Sequence, residues 1–348
     1  MDPLALNDVL FQKRGRLGVI TLNRPGVINA VNQAMVSAIH RTLADWAVDD
    51  AVRAVLLTGN GDRGLCVGGD IAAIFRDATG GSDGSLTFWR DEYLLDAAIV
   101  RYPKPVVTLM DGIVLGGGIG LAAHASHRVV TERSSLGMPE VTIGFVPDVG
   151  GTWLLSRAPG ELGTHLALTA GTVNGADAIA LGFADQFVPS ARLPELVSAL
   201  ETTEPDEAIA GVAQAPQESA LLSERGWIDE AYSGNSVGDI LLRLGESRPD
   251  VAATISRKSP TALAVTLASL RRASNLPDLE TVLEQEFRVS TRLLHTPDLA
   301  EGIRAQVIDK DRNPRWDPAD IAAVTPEMVN RFFEPLPGVE LELSRGMA

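Results

Sequence analysis

One cysteine, Cys66, stands in 348 residues. A lone cysteine excludes an intramolecular disulfide and a cysteine-ligated zinc site, and a reducing compartment is the natural reading. Histidine is also scarce. None of His40, His124, His127, His165 and His295 stands in an H-E-x-x-H arrangement, so the zinc-hydrolase pattern is missing. Basic residues are outnumbered, 30 Lys and Arg against 45 Asp and Glu, for a formal net charge of −15. That balance argues against sequence-independent nucleic-acid binding and against docking on anionic membranes, both of which need cations. A phosphorylated small molecule, held by a few local Arg residues, stays possible. No long apolar run is present either. The longest nearly uncharged stretch, VVTLMDGIVLGGGIGLAAHA at 106–125, contains Asp111 and five glycines. It reads as a buried strand turning into a helix, not as a membrane span. The opening MDPLALNDVLFQKRGR carries Asp2 and Asp8. It resembles neither a secretory leader nor an acid-poor transit peptide, so a cytoplasmic location is expected.

What the chain does have is a soluble, globular composition, 45% apolar and 22% charged, with length for one large domain or two smaller ones. Short β-branched runs recur in the first half: LGVITL (17–22), AVLLTG (54–59), PVVTLMDG (105–112), HRVVTE (127–132) and ADQFV (184–188). Helical patterns intervene, clearest at 32–48, where Met35, Ile39, Leu43 and Trp46 share a face. Strands alternating with helices predict an α/β fold with largely parallel pairing. The acidic, Ala- and Pro-rich stretch 201–220 reads as a surface connection. Beyond it the pattern is mostly helical, with Leu279, Leu283, Phe287 and Leu294 at helical spacing, and IDKDRNPRWDPADI (308–321) reads as an extended arm. The expected division is an α/β core over 1–200 and a helical C-terminal region over 201–348.

Three motif matches lack their required context. GNGDRG (59–64) fits G-x-G-x-x-G, but LCVGGD follows it instead of a helix, so it reads as a surface turn and not a dinucleotide site. GGSDG (80–84) fits the nucleophile-elbow pattern around Ser82, yet it follows IAAIFRDAT and not a buried strand. His124 and His127 are spaced to share a helix face but have no acidic partner placed by the sequence, and read as structural.

Two other glycine-rich turns do have context. VGGD (67–70) ends an apolar run and precedes a helix expected to begin at Ile71; LGGGIGL (115–121) lies between the strand VVTLMDG and the helical LAAHA. Each leaves backbone N–H groups near a helix start, where negative charge is favoured, and two such donors converging on one point form an oxyanion hole. Downstream, GMPEVTIGFVPDVGG (137–151) sets Glu140 and Asp148 among apolar residues, Gly and Pro. A buried carboxylate without a partner is costly. The plainer alternative is that Glu140 caps a turn and Asp148 is the N-cap of VGGTWLLSRA.

The succession NRPGVINAVN, LCVGGDI, DGIVLGGGIGL and GMPEVTIGFVPDVGG resembles the crotonase (enoyl-CoA hydratase/isomerase) superfamily. FWRDEY (88–93), MPE with FVPDVGG, and the tail EGIRAQVIDKDRNPRWDPADI (301–321) are most similar to its 3-hydroxyisobutyryl-CoA hydrolase branch. The resemblance runs from about residue 8 to 334. It implies a spiral of repeated ββα units with a helical C-terminal region, and an acyl-CoA thioester as substrate. Carried over motif by motif, it makes the N–H groups of Gly69 and Gly117 the oxyanion donors, Glu140 the principal catalytic carboxylate and Asp148 a second acidic group. Glu92 falls on a residue that contacts the acyl part.

Hydratases of the superfamily carry a second Glu two residues after the GGG; Gly120 stands there. The isomerase branch with an acid at the position of Asp148 also keeps a carboxylate at that of Gly120. The departure favours hydrolysis, with Glu140 as general base or as nucleophile. Asp148 would orient water, hold the substrate hydroxyl or supply a proton. Val141, Ile143, Phe145 and Val146 are expected to desolvate the pair and raise a carboxyl pKa. No metal or resident cofactor is implied, since coenzyme A is part of the substrate, and Arg24 is placed to help with its phosphates. A homo-oligomer fits the superfamily. The rivals are a hydratase or isomerase on the same fold, a non-catalytic acyl-CoA-binding protein, and a dehydrogenase resting on GNGDRG.

Overall fold

The computed structural model describes residues 5–343. Its strands are β1 (Val9–Arg14), β2 (Leu17–Leu22), β3 (Ala54–Gly59), β4 (Gly64–Cys66), β5 (Val106–Met110), β6 (Ile113–Leu115), β7 (His127–Val130), β8 (Ser135–Gly137), β9 (Thr172–Val173) and β10 (Gln186–Phe187). The chain forms two compact units assembled from interleaved segments. The first takes residues up to Gly69, Asp91–Leu136 and Val173–Ala220; the second takes Asp70–Arg90, Gly137–Thr172 and Leu221 onward. The linear split expected near 200 separates strand-bearing from helical sequence, whereas these units cross it.

The first unit is built on a six-stranded sheet in the order β1-β2-β3-β5-β7-β10. β1 and β2 form an antiparallel hairpin, and the remaining pairs are parallel. Parallel strands are covered on both faces, which explains their continuous apolar runs; all of β5 is buried. Val19, Leu56, Val107, Leu109 and Val129 share one core with Leu196 and Leu200. Helix Gln33–Ala47 is capped by Asn32, whose side chain accepts from the Met35 N–H, and buries Met35, Ile39, Leu43 and Trp46 as the spacing predicts. A Cβ on Gly18 would stand 2.5 Å from the Trp46 ring, so only glycine lets that ring lie against β2.

A second sheet runs β4-β6-β8-β9. Successive strands therefore alternate between sheets, β3 to β4, β5 to β6 and β7 to β8. Each pair leads into a helical segment: Ile71–Gly80, Gly117–Ala123 and the 3-10 turn Glu140–Ile143. This is the repeated ββα arrangement. β4 and β6 are parallel, so their C-terminal ends are neighbours, the usual place for a ligand site in such sheets.

The second unit is helical. Helix Leu279–Leu293, capped by Asp278, buries Leu279, Val282, Leu283, Phe287 and Leu293, together with Glu280, Glu284 and Glu286. Residues 310–316 are without regular structure, as expected of an arm. Trp316 Nε1 pins it by donating to the Arg257 carbonyl at 3.0 Å, and the Asp317 N–H by donating to Asp298 Oδ1 at 2.8 Å.

Among the expected elements, 17–22 and 54–59 are reproduced as β2 and β3, while 184–188 shortens to Gln186–Phe187 and helix Pro205–Ala210 interrupts the connection at 201–220. Among the described residues no helix is long and apolar enough to cross a membrane.

Helices Gly151–Arg157 and Leu162–Thr169 approach so closely that a Cβ on Gly163 would lie 1.9 Å from the Leu155 carbonyl oxygen. Alanine inside a helix ordinarily gains up to about 1 kcal/mol over glycine. Here the overlap is with backbone, which cannot swing aside. Gly163→Ala is therefore expected to destabilise by about 3 kcal/mol, the upper end of overpacking, read from denaturant midpoints. A neutral or stabilising change would show that the two helices separate freely.

Candidate active site

In the first unit, NRPGVINAVN frames the turn that presents Gly69. Ile28 and Asn29 are both left-handed. The buried Asn29 side chain accepts from the Arg24 N–H at 2.9 Å and donates to the Asn60 and Leu65 carbonyls at 3.1 and 3.0 Å. The Val31 N–H reaches the Gly68 carbonyl at 2.8 Å, and the Val67 N–H reaches that of Ile28 at 3.0 Å. Arg24 itself donates to the Ala30 carbonyl and lies 3.6 Å from Asp8; the phosphate role expected of it is untouched by these contacts.

The adjacent C-terminal ends of β4 and β6 bring the two glycine turns together. A Cβ on Gly68 would stand 3.2 Å from the Gly117 nitrogen, and one on Gly117 would stand 3.4 Å from the Gly69 nitrogen. Two backbone N–H groups thus sit side by side with no side chain of their own to cover them. Glu92, 2% exposed on helix Gly84–Val100, reaches the same spot, with its Oε1 2.6 Å from where a Gly117 Cβ would be. Gly120 is buried in helix Gly117–Ala123.

In the second unit, Glu140 opens the 3-10 turn that follows β8 and is 7% exposed. Close backbone approaches hold this turn: a Cβ on Gly144 would meet the Asp298 carbonyl oxygen at 2.4 Å, and one on Gly302 would meet Ile143 at 2.3 Å. Glu140 Oε2 is buried with no hydrogen-bond partner among the described residues. Burial pushes the Glu140 carboxyl well above its ordinary range, and the nearby Asp148 and Glu286 carboxylates push the same way. Val141, Phe145 and Val146 are buried as expected, whereas Ile143 is only half-buried, and Phe145 stacks on Trp89 with centroids 5.2 Å apart.

Asp148, 5% exposed, precedes Val149 and Gly150, both left-handed. The N-cap of helix Gly151–Arg157 is Gly150, not Asp148. The residue that serves this turn is Glu286, which accepts from the Gly150 N–H at 2.7 Å, the Thr152 N–H at 2.9 Å and the Thr152 hydroxyl. Burial nevertheless pushes the Glu286 carboxyl up to about 8. Sequence reading passed Glu286 over. Its signal was an acid on the apolar face of a helix, four residues after Val282 and three after Leu283.

The motif matches without context stay without it. GNGDRG is a bend between β3 and β4, and Ser82 is exposed and bonded to Asp77. His124 and His127 do not share a helix: His124 ends Gly117–Ala123, while His127 lies on β7 beside Asp206 at 3.1 Å. Among the described residues no cluster of His, Cys, Asp and Glu is arranged to hold a metal ion.

Two variants test this geometry. Gly117→Ala places a methyl against Glu92 and beside the Gly69 N–H, and is expected to lower kcat/KM by about 10²-fold, as loss of one oxyanion donor does. Unchanged turnover would remove that turn from the site. For Glu140, a raised pKa means that folding favours the neutral form. Stability from this group is full below about 4.5, the ordinary glutamate range, and is lost as pH rises toward the shifted value. Glu140→Gln should therefore unfold at a temperature at least equal to the wild type at pH 8, with the gap narrowing toward pH 5. A lower Tm for the variant at pH 8 would contradict the burial argument.

A family model described as enoyl-CoA hydratase/isomerase matches residues 17–333. The chain is 37% identical to the mitochondrial 3-hydroxyisobutyryl-CoA hydrolase of Gallus gallus over 97% of its own length and 91% of that protein's. It is 36% identical to the Homo sapiens protein of the same name, over 97% and 91%. Among solved structures, one described as a carnitinyl-CoA dehydratase from Mycobacterium thermoresistibile is 50% identical with a TM-score of 0.94, covering 97% of this chain and 99% of that one. Another, described as an enoyl-CoA hydratase from Rhodobacter sphaeroides, is 42% identical with a TM-score of 0.91, covering 96% and 99%. With its two glycine turns, its Glu140 turn and its ββα repeats, the chain belongs to the enoyl-CoA hydratase/isomerase, or crotonase, family.

Proposed function

We propose that this protein hydrolyses a short β-hydroxyacyl-CoA thioester, 3-hydroxyisobutyryl-CoA in the first instance, to 3-hydroxyisobutyrate and coenzyme A. The observation that carries the reading is Gly120. Hydration across a double bond in this superfamily uses a pair of carboxylates, and here one of the two positions is a buried glycine with no group to hold or donate a proton. Hydrolase relatives that match along nearly their whole length support it. The solved relatives described as a dehydratase and a hydratase share the fold, and one fold hosts many reactions.

In this reading the thioester carbonyl oxygen accepts from the Gly69 and Gly117 N–H groups, and Glu92 contacts the acyl part. Negative charge builds on that oxygen as a nucleophile attacks, and a hole donor of this kind is worth about 2.7–4 kcal/mol. Glu140 either takes a proton from the attacking water or attacks the carbonyl carbon itself. In the second route an acyl anhydride forms, which water then opens. In both, the C–S bond breaks, the coenzyme leaves as thiolate and is protonated, and the acyl group departs as a carboxylate. Asp148 orients the water, holds the substrate hydroxyl or supplies the proton. Coenzyme A arrives and leaves with the substrate, so no resident cofactor or metal enters the scheme. A homo-oligomer and a cytoplasmic location belong to the same proposal. The relatives just cited are mitochondrial by name, so cell fractionation decides the compartment and sedimentation the assembly.

The decisive measurement is thiol release from 3-hydroxyisobutyryl-CoA beside crotonyl-CoA. Thiol from the first substrate alone is expected, with kcat/KM rising with pH along a limb whose midpoint lies well above 4.5. Glu140→Gln is expected to lower kcat at least about 10²-fold, the lower bound for a lost acid–base group. Loss of the crotonyl double-bond absorbance without free thiol would make the protein a hydratase instead.

A further inference from the structure

We propose that Glu286 is a positioning residue for the catalytic turn, holding Asp148 in its working orientation and setting the charge that Asp148 and Glu140 experience. The proposal rests on the hydrolase reading above, although the geometry behind it does not. Glu286 lies on the apolar face of helix Leu279–Leu293, 1% exposed. Both of its oxygens are spent on a short stretch of backbone: Oε2 on the Gly150 N–H, and Oε1 on the Thr152 N–H and hydroxyl.

That stretch needs holding. Val149 has φ 52° and Gly150 φ 76°, and a β-branched residue in the left-handed region is strained. Such strain persists only where surrounding contacts over-determine it. Asp148 immediately precedes the strained pair, and its carbonyl accepts from the Gly151 N–H at 2.6 Å. The direction of the Asp148 side chain therefore depends on the conformation that Glu286 fixes. An ordinary helix start is satisfied by a local Ser, Asn or Asp. A carboxyl brought in from a distant helix and fully desolvated is a costlier device, and it adds a third acid beside two others.

The charges facing Glu286 are those of Asp148 and, in the same cluster, Glu140. On its own helix, Glu284 accepts from the Leu343 N–H, Arg288 pairs with Glu340, and Arg292 donates to the Phe332 and Pro335 carbonyls. Acids that interact this closely titrate as a coupled group, so removing one changes how the others titrate.

The test is Glu286→Gln in the full-length protein. Gln opposes an amide N–H to one of the backbone donors, so one hydrogen bond becomes a donor–donor contact. The expected result is a fall in kcat for thiol release of at least tenfold, with KM within threefold of the wild type. The kcat/KM–pH profile should also change shape, losing an inflection near pH 8. A kcat within twofold of the wild type, or a profile scaled down without change of shape, would overturn the proposal; the second pattern marks a purely structural contact. Should the Gln variant fail to fold, Thr152→Val removes one of the same hydrogen bonds at nearly constant volume. It is expected to lower kcat at least threefold and, since Glu286 keeps its carboxyl but loses a hydrogen bond that favours its ionised form, to move the inflection near pH 8 upward; a kcat within twofold of the wild type or an unmoved inflection would overturn the proposal. If the wild type hydrates crotonyl-CoA and releases no thiol, the hydrolase reading fails, and the comparisons are made on the hydration rate, where Glu286 succeeds or fails independently.

Discussion

A carboxyl group kept from water in apolar surroundings is the constraint on which the turn that carries Glu140 depends. Glu140 is buried, one of its oxygens has no hydrogen-bond partner among the described residues, and the charges that act on it, Asp148 and Glu286, are themselves acids. Burial and like charge act in the same direction, and both favour the protonated form of the group. Keeping it there takes rigid backbone. The segment is fixed by glycines that allow backbone to touch backbone at Gly144 and Gly302, by the stack of Phe145 on Trp89, and by the Glu286 hydrogen bonds to the turn after Asp148.

The position of the functional groups follows from the repeat. Gly69, Gly117 and Glu140 each come just after the second strand of a ββα unit, following β4, β6 and β8. The same place in three successive repeats carries a glycine turn twice and a buried carboxyl once. For the first two, parallel pairing of β4 with β6 makes neighbours of residues far apart in sequence. Nothing about Gly69 or Gly117 alone distinguishes them from ordinary turn glycines; the register of two short strands does.

Legibility in the sequence followed locality. Strands covered on both faces, such as β2, β3 and β5, were plain because burial demands unbroken apolar runs. β1 was missed because it lies at the sheet edge, with one buried residue and a run of exposed ones at its end, and so carries no alternation. Helices Gln33–Ala47 and Leu279–Leu293 announced themselves by their apolar faces, and the structure adds the Asn32 and Asp278 caps. Glu140 and Asp148 stood out as acids in an apolar segment, and Glu92 only through resemblance to a family. Glu286 was invisible for a physical reason: it serves a turn 136 residues away, and no local pattern encodes that partnership. The histidine pair failed the same way, since a strand boundary falls between His124 and His127.

The lone cysteine has a further meaning. Cys66 is fully buried at the end of β4, its Sγ accepting from the Gly68 N–H at 3.3 Å, and burial holds its thiol protonated, with a pKa near 12. Only a thiolate reacts readily with disulfide or maleimide reagents, so burial and protonation both shield this sulfur from them. The β4 turn must come apart before this sulfur can be labelled, and the sequence offers no other thiol to confuse the signal. The chain thus carries its own clock for the opening of the glycine turns, readable by mass spectrometry one adduct at a time.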